Sequence, residues 1–127
     1  MPRISYAFFT LAVFCALSGM ALGMHMGASQ DFAMRDVHAH INLAGWVSLA
    51  IMGGFYALDR GAPQRLAWIN FALSGLGGIL LPIAIAFIVS GKPVGGLLAM
   101  LGGSAAFLGM LTFAVVVIGG WWRTGRA

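Results

Sequence analysis

The stretch RDVHAHINLAGW, which begins at Arg35, holds two of the chain's three histidines, His38 and His40, one residue apart. Neutral imidazole is a ligand for zinc, copper and iron, and a common axial ligand of haem iron. The spacing decides what the pair can do. On a helix of 3.6 residues per turn, positions two apart point about 200° away from each other. His38 and His40 therefore look to nearly opposite faces. They cannot chelate one small ion from a single helix, as the i, i+4 histidines of an HExxH zinc site do. Each must serve a different neighbour: another helix, another chain, or another face of a cofactor. Asn42 follows within the same turns. Polar side chains in a membrane helix are rare and default to function, although an interfacial position is the plainer reading of any one of them taken alone.

A rival constellation surrounds the third histidine. Met20, Met24 and Met26 flank His25 in SGMALGMHMG, and Met34 follows in the next connection. Thioether and imidazole together suit Cu(I). Met20 and Met24 share a helix face at i, i+4, whereas Met24 and Met26 do not. Packing is the plainer role for methionine in so apolar a chain. The single Cys15 lies inside an apolar run; it has no internal disulfide partner and reads as a small buried hydrophobe.

The elements that must position these side chains are set by composition. Of 127 residues, 61% are hydrophobic and 8% are charged. A soluble domain carries about a quarter charged residues, so the solvent for most of this surface is lipid. The net charge of +4 comes from scattered basic residues, with no basic run that would form a nucleic-acid patch. A spanning helix needs roughly 20 apolar residues. Four runs qualify, at about 5–25, 37–58, 66–89 and 94–122, within a single transmembrane domain over 1–127. Between them lie the breaker-rich connections GASQDFAMRD, DRGAPQ and SGKP. Connections this short make neighbours antiparallel, so the expected fold is an all-α, up-and-down membrane protein. The first run has an alternative as a secretory leader, but its apolar stretch of about 18 residues exceeds the usual 7–15. Helix-borne glycines such as SGLGG predict close packing, and Pro82 predicts a kink in the third helix.

Loop charges predict orientation. Arg3, Arg60, Arg65, Arg123 and Arg126 fall on one side, Arg35 and Lys92 on the other. The positive-inside rule then places both termini in the cytoplasm, with Trp121 and Trp122 as an interfacial anchor. In a bacterium the histidine motif would face the periplasm from the inner membrane.

HAHINLAGW, at the outer start of a helix, resembles small membrane relatives of heme-copper oxidase subunit I. In that family a histidine near the outer end of the second helix ligates the low-spin haem. In the nitric oxide reductase branch this helix begins His-x-Asn-Leu, which His40, Ile41, Asn42 and Leu43 match. The tenth helix of the same fold carries a His-x-His pair whose members ligate different haems, which is the spacing of His38 and His40. The large subunit is built as three arcs of four helices, so the resemblance implies that this chain is one arc and that a homotrimer would restore the ring. The chain lacks the adjacent histidine pair, the His–Tyr arrangement and the deep acidic residue of the oxygen-reducing members. It is therefore not, alone, an oxygen reductase.

The resulting expectation is a haem-binding membrane protein for electron transfer or diatomic-gas chemistry, with a b-type haem and a redox partner. His38 and His40 would be axial ligands, Arg35 a propionate partner and Asn42 a hydrogen-bonding support. The alternatives are a periplasm-facing copper carrier using His25 and Met24, with His38 or His40 contributing, and a cofactor-free accessory subunit of a respiratory oxidase.

Overall fold

The computed structural model describes residues 1–125; Arg126, one of the basic residues used above for orientation, lies outside the described residues. The described residues are almost entirely helical. Helix α1 spans Arg3–Ser29, α2 Arg35–Leu58, α3 Gln64–Val89 and α4 Val94–Thr124. All four are long and apolar enough to cross a membrane. At 1.5 Å per residue they measure about 36 to 46 Å, more than the roughly 30 Å hydrocarbon layer. Large apolar side chains such as Phe14, Ile51, Leu76 and Phe107 are exposed along their outer faces, where a bilayer would cover them. The chain is an integral membrane protein. Its helices begin or end two to four residues beyond the apolar runs, because polar residues extend the turns into the headgroup layer.

The boundaries have local causes. Pro2, Pro63 and Pro93 stand immediately before α1, α3 and α4 with φ of −65°, −61° and −64°. Proline's fixed φ suits a helix start, and its missing N–H would find no partner there. Gln30 ends α1 in the left-handed region at φ 56°. Gly91 ends α3 at φ 70°; the Lys92 N–H donates to Phe87 O at 2.8 Å and the Gly91 N–H to Ile88 O at 3.0 Å. This double closure needs the left-handed conformation that glycine adopts without strain. Through Pro82, α3 continues without interruption.

Helix α2 departs from regular geometry. After its first α-helical turns, Arg35–His40, it runs as a π-helix over Ile41–Val47 and returns to α over Ser48–Leu58. Side chains support the altered register. Asn42 Nδ2 donates to His38 O at 2.8 Å, and Ser48 Oγ donates to Leu43 O at 2.7 Å. The same segment makes the closest approaches of α2 to its neighbours. A Cβ at Gly45 would meet Cys15 Sγ of α1 at 2.8 Å, and one at Gly78 of α3 would meet Gly45 Cα at 3.2 Å.

Helices α1, α2 and α3 pack mutually, while α4 lies mainly along α3. The α3–α4 seam is tight enough that a Cβ at Gly77 would fall 2.6 Å from the Ala106 nitrogen. Apolar burial concentrates at the end where Pro2, the 59–63 connection and Thr124 gather, here called the terminal end. Ile4, Phe8, Leu49, Met52, Tyr56, Ala67 and Val116 form its core. Phe8 and Tyr56 stack with centroids 5.5 Å apart, and Phe113 of α4 meets Phe55 edge-on at 5.2 Å. Asn70, fully buried, joins three helices there. Its Oδ1 accepts from Tyr56 Oη at 3.1 Å, and its Nδ2 donates to Gly109 O at 2.8 Å and Ser74 Oγ at 3.0 Å. The opposite end, with the 30–34 and 90–93 connections, carries the histidines.

Candidate functional site

The histidine end is built from the first two turns of α2, the C-terminal half of α1 and the C-terminal half of α3. His38 faces α1. Its Nδ1 is 2.9 Å from Gly19 O; a carbonyl only accepts, so Nδ1 carries the proton and the neutral ring keeps its lone pair on Nε2. The ring fits over Gly23, where a Cβ would come within 2.9 Å of His38 Cε1. Asn42, one turn on, fills the space over Gly19, where a Cβ would lie 2.7 Å from Nδ2. The Asn42 amide also rests against the imidazole, with Nδ2 3.4 Å from both ring nitrogens. Two glycines four residues apart on α1 thus form notches for two polar side chains four apart on α2.

His40 is placed differently. Its Nδ1 donates to Asp36 O of its own helix at 2.8 Å, which fixes the same tautomer and holds the ring to the first turn. Among the described residues no hydrogen-bond partner meets its Nε2. The opposite-face geometry follows from the helical turn that carries both residues: with His38 against α1, His40 points about 200° away.

On the Val37–Ile41 side of the same turns the structure opens a groove of about 380 Å³ among α1, α2 and α3, which neither histidine lines. Phe14 and Cys15 of α1, Val37 and Ile41 of α2, and Ile79 and Ile83 of α3 line it, and it is almost wholly apolar. Val37 and Ile41 form its floor, so by helix geometry His38 and His40 stand about 80° to either side of that floor. Pro82 also lines the groove and supplies no N–H to the carbonyl of Gly78, another lining residue. Cys15 is buried at the groove wall.

The remaining candidates separate. Arg35 is exposed at the start of α2 and reaches only Asp36 Oδ1, at 4.0 Å, so its guanidinium is available at the aqueous edge. Trp46 is half exposed on the π-helical segment. Met24 is 75% exposed and Met20 58%, while Met26 is 6% exposed; the methionines around His25 face different ways, and His25 itself is exposed. Among the described residues no group of three or more His, Cys, Asp or Glu side chains converges as a metal site.

Two features escape a reading of residue types. The π-helical segment has no composition signal. The glycine notches under His38 and Asn42 could be read as generic packing, and only the register between α1 and α2 gives them polar occupants. The buried Asn70 cluster did carry a signal, a lone asparagine in the middle of an apolar run, of the kind that marks interhelical hydrogen bonding. No protein-family model, curated protein or solved structure matches the chain.

Proposed function

We propose that the chain is a haem-binding membrane protein of the kind its histidine motif resembles, a single four-helix arc of heme-copper oxidase subunit I, with His40 as the principal axial ligand. The observation that carries this reading is the state of the imidazoles. Both rings have Nδ1 tied to a main-chain carbonyl, at Gly19 and Asp36, and His40 keeps an unengaged Nε2. A carbonyl that accepts from the other ring nitrogen, fixing the tautomer and orienting the ring, is the usual support of a metal-ligating histidine.

The surroundings suit such a group. The groove on the Val37–Ile41 face of the histidine-bearing turns is apolar, as a macrocycle requires, and Arg35 is exposed at the start of α2 for a propionate. A b-type haem held here would supply one-electron exchange, or an open iron position for a diatomic gas. His40 presents the lone pair, Asp36 O holds its ring, Arg35 offers charge at the rim, and Asn42 steadies His38 against α1. Because Asn42 Nδ2 rests 3.4 Å from His38 Nε2, one chain offers one unengaged Nε2 in this motif. A second ligand then comes from a neighbouring copy, in keeping with a homotrimer that rebuilds the oxidase ring and places an α2 in each third. By the positive-inside rule the histidines face the periplasm of a bacterial inner membrane and the termini face the cytoplasm, and a redox protein would exchange electrons from the histidine side.

The reduced visible spectrum of the purified protein, expressed with ample haem, tests this reading. It should show a Soret band that His40→Ala abolishes and His38→Ala shifts or weakens. A protein without haem bands, or bands indifferent to His40→Ala, overturns it. A native mass giving a stable monomer with full haem removes the trimer.

A further inference from the structure

We propose that the terminal end carries a binding site for the phosphate of an anionic membrane phospholipid, in the cleft between the starts of α1 and α3. The cleft has a volume of about 270 Å³ and is lined by Met1, Pro2, Arg60 and Gln64. Arg3 and Arg65 follow directly in the first turns of the two helices and are exposed. Arg60 thus lines the cleft, and Arg3 and Arg65 each follow one of its other lining residues, Pro2 and Gln64, in sequence.

Nothing anionic among the described residues neutralises them. Asp59 is the nearest acid in sequence, and both its oxygens are engaged: Oδ2 takes Arg123 Nη2 at 2.8 Å and Oδ1 takes the Gly61 N–H at 3.0 Å. Arg3, Arg60 and Arg65 have no carboxylate within 4.0 Å among the described residues. Neither α1 nor α3 has a side-chain cap or an acidic residue in its first turn. The positive ends of both helix dipoles thus add to the arginine charge.

The occupant is a lipid rather than a soluble anion because of where the cleft sits. It opens at the level where two membrane-spanning helices begin, the depth of the headgroup layer. The first turns below present exposed Tyr6 on α1 and exposed Trp68 and Ile69 on α3, aromatic and apolar surface of the sort that flanks headgroups and takes acyl chains. Basic pockets between membrane helices recognise anionic headgroups through this combination. The site lies at the opposite end from the histidines and stands whether or not haem is bound.

Native mass spectrometry of the full chain, titrated with phosphatidylglycerol and with phosphatidylcholine of identical acyl chains, tests the proposal. Phosphatidylglycerol should stay bound at concentrations where phosphatidylcholine does not. Arg60→Gln with Arg65→Gln should weaken it roughly thirtyfold, the loss expected for two basic residues near an anionic headgroup. Lys92→Gln at the other end should leave it unchanged. Arg60→Lys with Arg65→Lys preserves the charge and should retain most of the binding, which keeps the test decisive should the glutamine variant not fold. Equal binding of the two lipids, equal loss in Lys92→Gln, or displacement of phosphatidylglycerol by millimolar inorganic phosphate would each overturn the site.

Discussion

The two ends of this four-helix membrane protein are held together by different physics. At the terminal end, aromatic and aliphatic side chains fill the space between helices, and Asn70 ties α3 to α2 and α4 through a fully satisfied polar cluster. At the histidine end the helices splay around a groove of about 380 Å³, and α1 meets α2 through glycine notches occupied by His38 and Asn42. In lipid there is no hydrophobic drive for helix association, so close packing and interhelical hydrogen bonds do the work. The terminal end uses both. The histidine end uses close glycine approaches and hydrogen bonds as well, but leaves a groove open among α1, α2 and α3. One half is a filled frame, and the other holds an open apolar groove.

The comparison breaks most readily at the α3–α4 seam. A leucine at Gly77 would drive its side chain into the Ala106 backbone, and overpacking of this kind costs about 3 kcal/mol. Gly77→Leu is expected to give the largest loss of thermal stability in detergent, far exceeding that of Gly96→Leu, where a Cβ meets nothing within 4 Å. Equal effects at the two glycines would mean that α4 is not clasped to α3 along this line.

Asn70→Leu comes next. It leaves Tyr56 Oη, Ser74 Oγ and Gly109 O without their shared partner. Interhelical hydrogen bonds in membranes are worth about 0.6 kcal/mol each, with the best near 1.7, so a loss of about 2 kcal/mol is expected for the cluster. Stability should fall while any haem spectrum stays unchanged, because the cluster and the histidines occupy opposite ends. A spectral change in Asn70→Leu would show that the two halves are coupled.

The histidines themselves should split. His38→Ala removes the hydrogen bond to Gly19 O and empties the notch over Gly23, at a cost of about 1 kcal/mol. His40→Ala, whose bond is to its own helix, should change stability by less than about 0.5 kcal/mol yet have the larger effect on haem. Measured side by side, unfolding and spectrum should rank the two residues in opposite orders. The same order in both would remove the distinction between a clamping and a ligating imidazole.

Much of the frame was legible from residue type alone. Four apolar runs with proline and glycine at their borders leave little choice about where helices lie, and a 3.6-residue period separates the faces of His38 and His40 before any tertiary contact is known. The histidine end was legible in its polar residues, but not the groove, whose apolar lining residues carry no signal of their own. The π-helical register of Ile41–Val47 arises where Gly45 passes Cys15 and Gly78, a crossing that depends on two other helices. The division of the methionines, with Met26 inward and Met20 and Met24 outward, depends on which side of α1 the rest of the bundle occupies. Asn70 carries a signal of its own, an asparagine within an apolar run, but its partners on α2 and α4 are set only by how three helices pack.

The smallest expected effect lies at the edge of the frame. Arg123 of α4 reaches Asp59, just beyond α2, at 2.8 Å, with both side chains partly open to water. An ion pair in such a setting is worth about 0.5 kcal/mol, because solvent and salt screen it and two side chains must be ordered to make it. Asp59→Asn keeps an oxygen for the Gly61 N–H and deletes only the charge, so it isolates the pair from the turn. Its cost should be near that of Arg123→Ala, and both should shrink when thermal unfolding is repeated at 1 M salt, where the screening length falls to about 3 Å. A larger, salt-independent cost in Asp59→Asn would assign the stability to the turn between α2 and α3. The terminal end would then owe its firmness to the connection as well as to its core, and the contrast with the histidine end would rest on both.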